Sequence, residues 1–203
     1  MRAAAAAAFP ARTLRRGDYM RTDYLLVVLF ICAIPSCSHK DKHKMTTAHA
    51  ERISQTAEIT LNRGSKEVFP LFGAIEEKKW ADGWEPDIIY TKSGDMEENM
   101  VFTTKPHAHH EPDYLWVVSK YDPDKMLVVY TVSTDERVWS ITIGCRDNGD
   151  GTTGATITYT FTGLSKKGSK LNRQALENMY KENLKDWERA INHYLETGTR
   201  LKH

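Results

Sequence analysis

Between residues 54 and 62 apolar and polar positions alternate, with Ala57, Ile59 and Leu61 set against Thr56, Glu58, Thr60 and Asn62. A period of two sends the two sets to opposite faces of a pleated strand, so this segment predicts a strand with one wet face. Val68, Phe69, Leu71, Phe72 and Ile75 then recur at helical spacing behind Gly64-Ser65, a capping pair. Pro70 and Gly73 restrict this region to two short helices. The charge run Glu76-Glu77-Lys78-Lys79 reads as a solvated face. Strand-like segments follow near residues 87–92, 99–104, 113–120 and 126–133. Two further strands have the cleanest alternation: Trp139, Ile141, Ile143 and Cys145 against serine, threonine and glycine, and Ala155, Ile157, Tyr159 and Phe161 against four threonines. Asp147-Asn148-Gly149-Asp150-Gly151 between them is a turn.

The period then changes. Leu176, Met179, Tyr180, Leu184, Trp187, Ile191 and Tyr194 repeat at three and four, which predicts one long amphipathic helix from about Asn172 to Glu196, with Gly198 as its stop. A run of half-wet strands followed by an amphipathic helix makes an antiparallel α+β domain. Such a sheet buries its dry face only by wrapping around the helix. The expected domain spans residues 54–198, with residues 199–203 as a tail.

This element order, together with Val68-Phe69-Pro70-Leu71-Phe72, Trp80-Ala81-Asp82-Gly83-Trp84-Glu85-Pro86, Thr158-Tyr159-Thr160-Phe161-Thr162 and Trp187-Glu188-Arg189-Ala190-Ile191, resembles the START/Bet v 1 (SRPBCC) superfamily. The resemblance implies a helix-grip fold: a curved seven-stranded sheet around a C-terminal helix, with two short helices after the first strand and an apolar cavity inside. Members of that superfamily bind lipids, sterols, polyketides or hormones, and some are cyclases or dehydratases. No catalytic set is common to them, so none is carried onto this chain.

The side chains expected to line such a cavity are the apolar ones on inward faces. On the strands these are Tyr90, Phe102, Trp116, Tyr130, Trp139, Ile141, Tyr159 and Phe161. The final helix adds Tyr180, Leu184 and Trp187, and Trp84 belongs to a segment that reads as a cavity rim. The hydroxyl and indole N–H tips of these rings are the expected polar points inside the pocket.

The residues before the domain have another character. Arg21 precedes the apolar run Leu25 to Ile34, which is too short to span a bilayer as a helix and matches the core of a secretory signal. The run ends in Ile34-Pro35-Ser36-Cys37, which resembles the lipobox of bacterial lipoproteins, where the cysteine is acylated. Residues 1–37 are thus expected to direct export to the bacterial cell envelope, with Cys37 as the lipidation site and a membrane anchor. An uncleaved anchor is the alternative, and Met20 offers a second start that would leave residues 1–19 outside the signal. Residues 38–53 read as a polar tether.

Composition narrows the functions further. The 203 residues carry a net charge of +1, but residues 1–36 hold five arginines against Asp18 and Asp23. The remainder has 23 basic and 25 acidic residues, with no lysine or arginine run, which argues against a nucleic-acid partner. Gly-x-Ser-x-Gly, a Walker loop and a dinucleotide fingerprint are all absent from the sequence, and no cofactor is expected. Pro106-His107-Ala108-His109-His110-Glu111-Pro112-Asp113 is the segment densest in metal-ligating types; His107 and His109 share strand parity, and Glu111 or Asp113 would be a third donor. Two bracketing prolines make a polar surface loop the competing reading. Cys145, alternating with Trp139 and Ile143, reads as buried and inert. The expected function is carriage or sensing of a small hydrophobic molecule; the alternatives are a cyclase or dehydratase in the same cavity and a metal-dependent protein built on the histidine loop.

Overall fold

Residues 50–106 and 111–202 are described by the computed structural model. Every run that alternates in the sequence becomes a strand: β1 (Arg52–Leu61), β2 (Asp87–Tyr90), β3 (Val101–Thr104), β4 (Tyr114–Asp122), β5 (Leu127–Ser133), β6 (Arg137–Asp147) and β7 (Thr153–Gly163). They form one antiparallel sheet in the order β1-β7-β6-β5-β4-β3-β2. Register is set by burial. On β6, Arg137, Trp139, Ile141, Ile143 and Cys145 face inward, and on β7 Ala155, Ile157, Tyr159 and Phe161 lie on the same face. A slip by one residue would turn both sets out to water. Asp147 and Asp150 close the β6–β7 turn by accepting from the Gly149 and Thr152 amides. The curvature of the sheet leaves its inner face concave. Register shifts between Ile88 and Tyr90 and between Val118 and Lys120 add local bends.

Between β1 and β2 the chain makes α1 (Ser65–Val68) and two 3-10 turns, Phe69–Phe72 and Glu76–Lys79. Pro70 sits at the start of the first turn, where its missing N–H costs nothing. Val68, Phe69, Leu71 and Phe72 are buried, and Phe72 is among the largest side chains fully withdrawn from water. Burial of each such side chain contributes about 1.5–3 kcal/mol.

The C-terminal stripe is not one helix but two, α2 (Lys166–Met179) and α3 (Lys185–Thr197). The break lies at residues 180–184, where Asn183 and Leu184 take left-handed φ values of 51° and 57°. Two tertiary anchors hold the break: Leu184 is 1% exposed, and the Tyr180 hydroxyl donates to the carbonyls of Gln55 (2.9 Å) and Ile157 (3.3 Å). Helix α2 also starts six residues earlier than the apolar pattern indicates. Ser165 caps it by accepting from the Gly168 amide (3.0 Å). Gly168 presses so closely on β6 that an added Cβ would lie 1.8 Å from the Glu136 carbonyl oxygen. Among the described residues no helix is long and apolar enough to cross a membrane.

Candidate functional site

The concave sheet face is longer than α2 and α3 cover, and the uncovered part encloses a cavity of about 1030 Å³. Its walls come from parity. Trp116 on β4, Tyr130 on β5, Trp139 and Ile141 on β6, and Tyr159 and Phe161 on β7 all project into it. Trp84 and Trp187 close it from the segment after the 3-10 turns and from α3. The rings meet at steep angles: Trp84 against Trp116 at 88° and 5.3 Å, and Tyr114 against Trp139 at 89° and 5.1 Å. Edge-to-face contacts of this kind fix the wall shape beyond plain burial.

Four expected lining residues lie elsewhere. The register shift in β2 turns Tyr90 outward together with Ile89, leaving Tyr90 54% exposed on an edge strand. Phe102 is buried behind Trp84 and Trp116, stacked on the latter at 5.4 Å. Tyr180 and Leu184 are used up in the helix break.

Several of the ring tips are bonded to protein groups rather than left to the cavity. Trp80 Nε1 donates to the Leu71 carbonyl (2.8 Å), Trp84 Nε1 to Ala74 (2.7 Å), Trp116 Nε1 to Thr104 Oγ1 (2.9 Å), and the Tyr130 hydroxyl to Phe72 (2.6 Å). The Tyr130 bond fastens the first 3-10 turn to the sheet, the Trp80 and Trp84 bonds tie the segment 80–84 back to residues 71–74, and the Trp116 bond links β4 to β3. Charged residues that strand and helix patterning passed over also face the cavity.

At one end, Arg137 opens β6 two residues before Trp139 and therefore points inward with it. Its Nη2 donates to Glu111 Oε2 (2.8 Å) and to the Tyr114 hydroxyl (3.1 Å), while that hydroxyl donates to the same Glu111 oxygen (2.8 Å). Both charged side chains are 5% exposed. The guanidinium lies 4.8 Å from the Trp139 ring centre and is flanked by Tyr114 and Phe161. Glu111 Oε1 and Arg137 Nε are buried without a hydrogen-bond partner. Burial, reinforced by the bond to Glu111, pushes the Tyr114 hydroxyl up to about 12. Glu111 thus places one carboxylate oxygen on Arg137 and Tyr114. His107 and His109 lie outside the described residues, and among the described residues no three ligating side chains converge.

At the other end stands Glu77, the member of the charge run that shares a helical face with Trp80 and Ala81. It lines the cavity and is half-buried, and burial pushes its carboxyl up to about 8. Tyr130 and Tyr159 are held well above the ordinary tyrosine value, first by burial and then by the Glu77 charge. Neither the Glu77 carboxyl nor the Tyr159 hydroxyl has a hydrogen-bond partner among the described residues. The mouth runs between α2, α3 and the Trp80–Trp84 segment, and Asp82, Glu177 and Asp186 are exposed on its rim. Cys145 is buried away from this site, and burial pushes its thiol up to about 12.

No protein-family model and no curated protein matches the sequence. Solved structures do match the fold. Norcoclaurine synthase from Thalictrum flavum in complex with dopamine and hydroxybenzaldehyde is 11% identical with a TM-score of 0.55, over 72% of this chain and 88% of that one. The Zhui aromatase/cyclase from a Streptomyces species is 11% identical with a TM-score of 0.56, over 72% and 94%. Ara h 8.0201 is 14% identical with a TM-score of 0.52, over 72% and 99%. The chain therefore has the helix-grip fold of the Bet v 1 type, a seven-stranded antiparallel sheet closed by its C-terminal helices.

Proposed function

We propose that this protein binds a small, largely apolar molecule in the cavity and carries or senses it in the bacterial cell envelope, tethered through an acylated Cys37. The observation that carries this reading is the cavity itself: about 1030 Å³, walled by nine aromatic rings, at the upper end of ordinary ligand pockets. A core packed to normal density leaves no such space, and filling it with apolar ligand gains about 25 cal/mol per Å² of surface removed from water. The fold neighbours support the reading, since one is described with dopamine and hydroxybenzaldehyde bound and another is an aromatase/cyclase.

A second reading, an enzyme of the cyclase or dehydratase class, draws on one observation. Glu77 is an inward titratable group with its carboxyl near neutrality, as acid–base work requires. Carriage stands first because Glu111, Tyr114 and Arg137, three of the other inward polar groups, are bonded to one another. The test is titration of the full chain with Nile red, a neutral apolar dye, while its emission is followed. Saturable 1:1 binding, weakened when a bulky residue narrows the cavity in Ile141→Trp, is expected. Absence of saturable binding, or binding indifferent to Ile141→Trp, overturns the proposal.

A further inference from the structure

The cavity has two unlike ends. The Arg137–Glu111 end is a closed ion pair, balanced in charge and packed among rings. The Glu77 end has no such balance. Among the described lining residues Arg137 is the one lysine or arginine, whereas Glu77, Asp82, Glu177 and Asp186 gather towards the mouth. Asp82 is held by Arg200 at 3.2 Å. Glu177 and Asp186 have no ion-pair partner among the described residues.

Three rings line the cavity together with Glu77. Trp80 and Trp187 stand 5.4 Å apart at 60°, and Trp187 meets Tyr159 at 6.5 Å and 76°. Ring faces carry negative charge density, so aromatic walls in the same cavity as an acid favour a cation over an anion. The Tyr159 oxygen, without a hydrogen-bond partner among the described residues, adds an acceptor. An acidic mouth over low-dielectric walls concentrates cations and repels anions.

We propose that the ligand is an arylalkylamine, its ammonium held by the Glu77 carboxylate and the faces of Trp80, Tyr159 and Trp187, with its ring among the aromatics deeper in the cavity. This deepens the binding reading above and rests on it. Proton balance gives it a signature. The titratable and charged groups around Glu77 are Tyr130 on β5, Tyr159 on β7, Glu177 on α2, Asp186 on α3, and Asp82 with its Arg200 partner. With burial pushing it up to about 8, the Glu77 carboxyl is expected to carry its proton for the most part at pH 7. An arriving ammonium replaces that proton, so one proton leaves for each amine bound, and no bond other than O–H is broken.

The experiment is calorimetric titration of the full chain and of Glu77→Gln with tryptamine, tryptophol and indole-3-propionate. These three share a ring system and differ in the charge of the side-chain tip. A charge-assisted hydrogen bond predicts tryptamine at least about 10-fold tighter than tryptophol, with indole-3-propionate the weakest. Glu77→Gln is expected to bring tryptamine and tryptophol within about 3-fold of each other while Nile red still binds. Repeating the tryptamine titration at pH 7 in buffers of different ionisation enthalpy should show release of close to one proton. Equal or tighter binding of tryptophol or indole-3-propionate, a preference that survives Glu77→Gln, or no proton release overturns the proposal. Nile red bound with none of the indoles bound overturns the amine alone; failure of Nile red as well overturns the binding reading beneath it.

Discussion

The buried pair Glu111–Arg137 gives the sharpest test of how the cavity is built. Arg137→Met preserves most of the side-chain volume but leaves the Glu111 carboxylate, 5% exposed, with only the Tyr114 hydroxyl as partner. Glu111→Leu leaves the guanidinium equally stranded among Tyr114, Trp139 and Phe161. Removing one member of a buried pair typically costs 3–5 kcal/mol, because the remaining charge has lost water and partner together. The cavity beside this pair can admit water, which places the expectation near the lower bound, about 3 kcal/mol for each single change. In a domain of about 150 residues that is a fall of about 6–12 °C in Tm.

The double change separates this reasoning from a general loss of packing. Glu111 Oε1 and Arg137 Nε are already unpartnered, so the native pair recovers only part of its desolvation cost. The double variant Glu111→Leu/Arg137→Met should therefore return to within about 1 kcal/mol of the parent, giving a coupling of about 5 kcal/mol in a double-mutant cycle. Urea denaturation followed by tryptophan fluorescence measures all four proteins. Strictly additive losses, or single changes costing under 1 kcal/mol, would refute the idea that the pair is mutually dependent.

Three other outcomes follow from named contacts. Glu77 is protonated in the fold up to about pH 8 but in the unfolded chain only below its ordinary value near 4.5. The native state then binds the extra proton, so stability should fall as pH rises from 5 through 8, by about 2–5 kcal/mol, and Glu77→Gln should flatten that slope in denaturant midpoints measured across the range. Gly168→Ala places a methyl group 1.8 Å from the Glu136 carbonyl oxygen, both partners being backbone. It should cost at least about 2 kcal/mol despite the better helix propensity of alanine, and a neutral effect in thermal melts would show that α2 shifts freely on β6. Cys37→Ser should move the protein from the membrane to the soluble fraction of a bacterial host, whereas unchanged fractionation would remove the lipid anchor.

The strands were legible because one face is wet: a period of two survives in a half-buried sheet, and β6 and β7 reproduce it residue by residue. The helix break was not. Apolar spacing of three and four runs straight through Tyr180 and Leu184, and only tertiary anchoring forces Asn183 and Leu184 into left-handed backbone. The first turns of α2 were hidden for a different reason: Lys166–Lys170 carry no apolar stripe, and the small Gly168, rather than a large hydrophobe, makes the contact with β6.

The charged site residues expose a bias in reading by hydrophobicity. Arg137 has the parity of Trp139 and Ile141, and Glu77 stands one helical turn before Trp80, so position alone put both on inward faces. For Glu77 charge led to the opposite assignment, since a solvated face is the ordinary place for such residues, and Arg137 was not singled out at all. A charged residue in phase with the core is expensive unless something compensates it. For Arg137 the compensation is Glu111, which no periodicity could reveal because it lies in a loop and meets β6 across 26 residues of sequence. For Glu77 the described protein offers none, and the carboxyl responds by holding its proton. An inward acid that the fold leaves uncompensated is the kind of group a ligand completes, and this places the informative residue of the cavity in the segment the pattern assigned to solvent.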